Sequence, residues 1–530
     1  MCAGYLWMLV FASVAARGWG ELFSSMAHLQ TALYAERDIA QEIRKYVATE
    51  KVRLEKLAKI AEDFEGHSEM ALEDPDYYLG NPVNAYLFVK HFTLDWDRDI
   101  DHVLRNNSRP ELADKVDELR QQLPTYEDLS GSVSALLRLQ DVYKLDTTEL
   151  AHGSVGGVPS SQLSAWDCFE LGRLSYNEED FYHTIMWMEE ALEKVRHGDP
   201  EWYEDNMASI IDYLAFAQYK QGNVRRALQL TNEMLELAPD HERARSNKLY
   251  YERVLHDDTD SKKRGEDGEI TNKRQLDEYR SGEEYMTYEA LCRGENLKKY
   301  KHKDRLFCRY RTNDHPLLFL SPAKEEVLYF NPYIAMFHDV ISDKEIKMLK
   351  TLATPKLGRA TVHNPKTGKL ETAAYRVSKS CWLSEYDSPD IGMINAKIAA
   401  MTGLNMETAE ELQIANYGIG GQYEPHYDFA RRREPKAFEQ RIGNRIATFM
   451  YYISDVQAGG ATVFPYLGLK VFPKKAAALF WYNLYKNGEG IYDTRHAACP
   501  VLVGSKWVSN KWIHERGQEF HRPCGLFEEE

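Results

Sequence analysis

Gln422-Tyr423-Glu424-Pro425-His426-Tyr427-Asp428 is the stretch that decides how the rest of the chain is read. It contains His-x-Asp. A second histidine follows far downstream in Thr494-Arg495-His496, with Lys506 shortly after it. Two imidazoles and one carboxylate can occupy one face of an octahedral ferrous ion and leave the other positions open for a cosubstrate and dioxygen. The spacing has a mechanical reason. Side chains at i and i+2 of a strand point to the same side, so His426 and Asp428 can aim together from one strand end. His496 must then arrive on a distant strand, which a jelly roll allows. His-x-Asp by itself is a weak signal, and the competing reading is a surface turn after Pro425. The strand-like surroundings of His496 and Lys506 favour a site.

Those surroundings extend over the C-terminal half. Arg445–Ile453, Lys470–Trp481 and Val501–Trp512 are rich in aromatic and β-branched residues and are separated by Gly and Pro. Helices such as Asp343–Ala353 and Ile391–Met401 should pack outside them. Residues 286–530 therefore read as a double-stranded β-helix, or jelly roll. Upstream, Asp257 to Gly268 is charged and almost devoid of apolar groups. This marks a linker, placed at 257–285.

Before the linker the period becomes helical. In residues 160–256, Leu214, Ala215, Gly222, Ala227 and Pro239 fall at tetratricopeptide offsets, and Leu171, Gly172 and Ala191 echo them earlier. Tyr213, Phe216, Tyr219 and Tyr250-Tyr251 sit among these helical positions. Tyrosine suits a dry core less well than Leu or Phe, because its hydroxyl needs a partner. An aromatic groove for an extended polyproline II peptide is the sharper reading, and a small helical bundle is the plainer one. Residues 21–150 begin with a long helix to about residue 65, whose stripe runs through Met26, Leu29, Leu33, Ile39, Ile43, Tyr46, Leu54, Leu57 and Ile60. Such a stripe packs within one chain or between two. Further helix is expected over Val83–Arg105 and Ala135–Tyr143. The fold class is thus multidomain α + β.

At 530 residues the chain has room for several domains, since ~100–200 residues each is usual. A net charge of −16 argues against nucleic acid as the main partner. Residues 1–20 read as a secretory signal, with an apolar Tyr5–Ala16 core followed by small residues, although no basic residue precedes it. No later stretch is long and apolar enough to span a bilayer. A secretory route makes Asn106 in Asn106-Asn107-Ser108 a glycosylation acceptor and permits disulfides. Cys168 and Cys381 read as buried thiols.

The C-terminal half resembles the collagen prolyl 4-hydroxylase alpha-subunit family, whose members depend on 2-oxoglutarate and Fe(II). The resemblance is carried by Glu411-Leu412-Gln413-Ile414-Ala415-Asn416-Tyr417-Gly418, Gly420 to His426, Asn444-Arg445-Ile446-Ala447-Thr448, Gly459 to Pro465, Phe480-Trp481-Tyr482-Asn483 and the run from Thr494 to Glu515. It extends over nearly the whole chain. It implies hydroxylation of proline at C4 in X-Pro-Gly repeats of collagen-like chains, with 2-oxoglutarate decarboxylated to succinate and CO2, O2 consumed and ascorbate required. It implies iron on His426, Asp428 and His496, and 2-oxoglutarate on Lys506, with Tyr417 and Thr462 as hydrogen-bond partners. It makes residues 160–256 a peptide-substrate-binding domain using Asp212, Tyr213, Arg243, Asn247 and Tyr250. Phe216 stands where the family usually has another tyrosine, and Ile442 where it commonly has threonine. The resemblance also implies Cys292–Cys308 and Cys499–Cys524 disulfides and dimerisation through the long helix. A protein disulfide isomerase partner follows too, in an α2β2 or αβ assembly within the endoplasmic reticulum lumen, since Phe527-Glu528-Glu529-Glu530 is no retrieval signal. Three other readings compete: a prolyl hydroxylase for a different protein, a catalytically silent binding subunit, and a zinc-binding jelly roll. The helical N-terminal half, the intact triad and Lys506 respectively count against them.

Overall fold

The computed structural model describes residues 26–100, 124–198, 207–257, 271–297, 306–363, 370–372, 375–432, 434, 438 and 441–525. The 1–20 signal and Asn106 lie outside the described residues. The chain divides into two compact units, residues 1–73 with 95–122, and 74–94 with 123–530.

The first unit contains one long helix, Met26–Glu73. It continues through Gly66, where an added Cβ would meet open space, so the stop expected near residue 65 does not occur. One interior glycine costs only ~1 kcal/mol, too little to end so long a helix. Ile39, Ile43, Tyr46 and Leu54 on its stripe are all more than half exposed.

In the second unit, Pro82–Lys90 and Tyr126–Tyr143 share one core with the helices of residues 165–257. Thr125 and Ser164 each begin a helix with a reciprocal capping box. Two antiparallel helix pairs follow, Ala165–Asn177 with Phe181–Arg196 and Met207–Lys220 with Val224–Leu237, and Glu242–Asp257 completes the row. The repeat residues Leu171, Ala191, Leu214, Ala215 and Ala227 are all buried. A side chain on Gly172 would press on the Met188 side chain, which would have to shift at that helix crossing. The end of the predicted linker is ordered. Asn272 donates to the Tyr182 carbonyl (2.9 Å), and Arg274 pairs with Asp141 (2.9 Å) and Glu289 (2.8 Å). The next helix, Glu283–Cys292, starts inside the expected linker.

Most of the strands described in the C-terminal half fall in two sheets, beside two two-stranded ones. The larger runs Cys308–Arg311, Ala323–Tyr329, Ile334–His338, Ala478–Tyr482, Arg445–Tyr452, Lys506–His514, Leu412–Tyr417, Lys379–Leu383, Gly358–Arg359. The smaller runs Leu469–Val471, Thr462–Phe464, His496–Ala498, Gln422–His426, Arg376–Val377. The expected Val501–Trp512 strand is broken at Gly504, whose φ of +101° a side chain would strain. Asp343–Ala353 and Pro389–Thr402 are helical and pack on the larger sheet.

The disulfide pattern differs from the family-based expectation. Cys292 is joined to Cys499, while Cys308 and Cys524 are exposed free thiols, so neither Cys292–Cys308 nor Cys499–Cys524 is formed. The cause is packing. The Glu283–Cys292 helix lies on the smaller sheet, where Tyr288, Leu291 and Cys292 share a core with Val463, Ala497 and Cys499. Cys308 sits on an edge strand, away from that core. Cys168 and Cys381 are buried thiols.

Candidate metal centre

His426 ends one strand of the smaller sheet, and His496 begins the strand beside it; the two are directly opposed. Asp428 lies just past the strand end. The ligand atoms of all three lie within 4.8 Å of one another. Nε2 of His426 is 3.7 Å from one Asp428 oxygen, and Nε2 of His496 is 3.6 Å from the other. The rings are aimed by the backbone. His426 Nδ1–H donates to the Glu424 carbonyl (2.8 Å) and His496 Nδ1–H to the Thr494 carbonyl (3.0 Å). Both Nε2 lone pairs are thereby left facing the carboxylate. Burial and the neighbouring His496 push the His426 ring well below its usual pKa, which keeps it neutral, the form that binds metals. Burial works against ionising Asp428, but the His496 ring and Arg445 outweigh it and hold the carboxyl down at about 2. Two imidazoles and one carboxylate on one side of a point fit Fe(II) with open positions opposite.

Lys506 supplies a second test of fit. It is 1% exposed, and its ammonium has no hydrogen-bond partner among the described residues. Burial pushes its pKa down to about 7. An unpaired buried ammonium is costly, and an anion beside it would remove most of the cost. Lys506 faces Tyr417 across an antiparallel pair, with Nζ 5.3 Å from that ring. Thr462 is buried and accepts a hydrogen bond from the Tyr452 hydroxyl (2.9 Å). Tyr417, beside Lys506, and Tyr452, beside Thr462, belong to one buried cluster.

Several neighbours lie in the stretches that carry the resemblance without a role being assigned to them from sequence. Thr448 donates to an Asp428 oxygen (2.7 Å) and accepts from Asn483 (2.9 Å). The Tyr423 ring stacks on His426, with centroids 3.5 Å apart, and the Arg376 guanidinium lies 4.8 Å from the Tyr423 ring centroid. Glu410 binds Arg445 (2.8 Å) and His514 (2.9 Å). Burial opposes its ionisation, but these two groups hold it at about 2. Apart from Tyr423 and His426, these contacts join positions 20 or more apart in the chain, which the fold brings together.

The five peptide-binding candidates fall on two helices, Met207–Lys220 and Glu242–Asp257. Asp212 is buried and ion-paired with Arg243. Tyr213 packs edge-on against Phe169 (5.7 Å) and Tyr176 (4.8 Å). The row continues through Phe216 and Tyr219 to Tyr250, whose hydroxyl shares a 2.9 Å hydrogen bond with that of Tyr219. Tyr213 and Asn247 are half-buried, and Tyr250 is 43% exposed. Phe216 keeps the stacking of its row without a hydroxyl.

Comparison with known proteins matches three regions in order. Residues 25–157 match the prolyl 4-hydroxylase alpha-subunit N-terminal region. Residues 165–257 match the prolyl 4-hydroxylase peptide-substrate-binding domain. Residues 412–514 match the 2OG-Fe(II) oxygenase superfamily. The chain is 47% identical to rat prolyl 4-hydroxylase subunit alpha-1 over 514 residues, 96% of each chain. It is also 47% identical to Caenorhabditis elegans prolyl 4-hydroxylase subunit alpha-2 over 529 residues, 98% of this chain and 96% of that one. A solved viral collagen prolyl hydroxylase from Paramecium Bursaria Chlorella virus-1 aligns at 25% identity with a TM-score of 0.28, covering 34% of this chain and 94% of the viral one; nothing below rests on it. With near-complete coverage at that identity, and a 2OG-Fe(II) oxygenase region built around the His426, Asp428 and His496 cluster, the chain belongs to the prolyl 4-hydroxylase alpha-subunit family.

Proposed function

We propose that this chain is the catalytic subunit of a procollagen-proline 4-dioxygenase acting on X-Pro-Gly repeats of collagen-like chains. The observation that carries the reading is the convergence of His426, Asp428 and His496, with the unpartnered Lys506 ammonium buried in the same barrel. When bound, Fe(II) and 2-oxoglutarate supply the oxidising chemistry: with O2, the cosubstrate becomes succinate and CO2, and one oxygen atom enters the proline C4–H bond.

The protein's own part is binding and orientation. His426, Asp428 and His496 would hold the metal, and the carbonyls of Glu424 and Thr494 keep the two rings aimed. Lys506 would pair with the distal carboxylate of 2-oxoglutarate as a compact point charge, and Tyr417 and Thr462 would offer hydroxyls. The apolar walls of Phe464 and Trp481, whose rings lie 5.7 Å and 4.8 Å from His496, keep water from the site. No side chain needs to act as a base. Ascorbate would restore iron oxidised in uncoupled turnovers.

Asp212, Tyr213, Arg243, Asn247 and Tyr250 would hold the peptide, the rings packing on pyrrolidines and the polar groups meeting backbone carbonyls that polyproline II leaves free. The exposed stripe of the Met26–Glu73 helix suits chain–chain dimerisation. Among the described residues no helix is long and apolar enough to cross a membrane. The predicted signal at 1–20 and the sequon at Asn106 favour the endoplasmic reticulum lumen, with protein disulfide isomerase as partner in an α2β2 or αβ assembly. The test is mass spectrometry of a (Pro-Pro-Gly)-type peptide after incubation with iron, 2-oxoglutarate and ascorbate. A gain of one oxygen per modified proline, dependent on 2-oxoglutarate, supports the reading. Peptide binding without any mass gain or succinate would leave a silent binding subunit.

A further inference from the structure

The strand Val501–Val503 and the turn after it at Gly504-Ser505 lead to Lys506, and this stretch packs against the helical half of the second unit. The Gly504 N–H donates to the Gly80 carbonyl (2.8 Å), at the end of the Pro75–Gly80 helix. A Cβ on Gly80 would come within 2.9 Å of Gly504 Cα, a contact with backbone that cannot give way cheaply. Gly80 is therefore needed for close approach. The Tyr143 hydroxyl donates to the Pro500 carbonyl (2.5 Å). The Leu502 and Val503 side chains are buried in the core that contains Tyr86, Leu136, Leu139 and Trp187. On the inner side, Asn416 donates to the Ser505 hydroxyl (3.0 Å) and Ser454 to its carbonyl (2.9 Å). The turn is thus held between the sheet and the helices, one residue before the lysine.

We propose that the helical half forms the back wall of the 2-oxoglutarate pocket, with Gly80 and Tyr143 as positioning residues that fix where the Lys506 ammonium stands. The inference rests on the reading of Lys506 as the cosubstrate's anchor. Small displacements of such a group are expensive, because a point charge must meet a carboxylate at fixed distance. The catalytic sheets then do not present the cosubstrate site alone, and a helix more than four hundred positions earlier in the chain enters its affinity.

The test titrates the assembled enzyme calorimetrically with 2-oxoglutarate, with Mn(II) in place of iron so that no turnover occurs. Gly80→Ala should weaken binding by about tenfold or more, as misplacement of a positioned group does. Tyr143→Phe, which removes a single hydrogen bond, should weaken it by about threefold to tenfold. Gly131→Ala is the control: it adds a methyl to open space on the Tyr126–Tyr143 helix and should bind as wild type. Peptide KM should not move in any of them. A folded Gly80→Ala enzyme with wild-type affinity, even one with a lowered melting temperature, overturns the proposal, since the contact would then serve stability only. If Gly80→Ala fails to assemble, Tyr143→Phe decides on the same criterion. Lys506→Ala in the same titration separates the two readings. If it too binds as wild type, the anchor itself is misassigned; if it alone loses binding, the anchor stands and the back wall falls.

Discussion

The metal centre and the aromatic row of the helical domain hold their functional groups in opposite ways. At the centre, each donor is buried or nearly so and has its orientation set by a second bond: His426 and His496 to carbonyls, Asp428 to Thr448. In the row, Tyr213 and Tyr250 are half-buried or exposed and rest edge-on against other rings, contacts that tolerate rotation. Chemistry at one C–H bond requires fixed geometry, because misplacement by an ångström is costly. A repeating polymer requires only a surface that many registers can share. The comparison predicts steep losses at the centre and shallow, length-dependent losses along the row.

The steepest loss belongs to the three ligands. His426→Ala, Asp428→Ala or His496→Ala should each bring hydroxylation to background and lower the bound iron, while circular dichroism shows the fold intact. Wild-type-like turnover in any of the three would falsify the triad.

Lys506→Ala comes next. Removing one partner of a buried charge pair costs ~3–5 kcal/mol, which should appear mainly in KM for 2-oxoglutarate. Lys506→Arg should also be poor, since the guanidinium is larger and forked. An unchanged KM in both would end the assignment. The same lysine predicts a pH dependence. Burial lowers its pKa to about 7 in the free site, whereas an adjacent carboxylate favours the charged form and raises it. Binding therefore takes up a proton above about pH 7, and 2-oxoglutarate affinity should fall as pH rises, by at most about tenfold per unit. Calorimetry of the Mn(II) enzyme in buffers of different ionisation heat would measure that proton, and none taken up at pH 8 would contradict it.

Thr448→Val should cost less. The hydroxyl orients Asp428 without touching the metal, and losing such a partner typically weakens metal affinity by ~10–100-fold. Iron titration should register this, with kcat at saturating iron changed far less.

These residues also show what the sequence could reveal. The cluster was legible because His-x-Asp holds two donors within three residues, although Asp428 lies past the end of the strand that carries His426, so strand alternation is not what aims it. The jelly roll and the tetratricopeptide-like helices were legible from local periodicity. Thr448, Asn483 and the Glu410–Arg445–His514 cluster were not, because their partners are set by strand register. The cysteines illustrate the same limit. Pairing them from family resemblance gave Cys292–Cys308 and Cys499–Cys524, whereas the Glu283–Cys292 helix packs on the smaller sheet and meets Cys499. Lys506 was found through its neighbours in sequence, but that its ammonium lacks a partner is visible only in the fold.

The smallest effect is expected in the aromatic row, and it should depend on the substrate. Proline-rich chains are already extended as polyproline II, so little ordering entropy is lost when they dock. A long chain can occupy the row and the metal site together, and the local concentration gained falls away when the first contact is lost. Tyr213 packs against Phe169 and Tyr176, and its loss removes the ring that joins the two ends of the row. Tyr213→Ala should therefore raise KM for a long (Pro-Pro-Gly) polymer by about tenfold, the order of one aromatic anchor of ~1.5 kcal/mol. KM for a short peptide that reaches only the metal site should stay unchanged, and so should kcat for both. Steady-state kinetics over a series of chain lengths makes the comparison. Equal losses at every length would mean that Tyr213 supports the fold and that the row does not gather substrate for the iron.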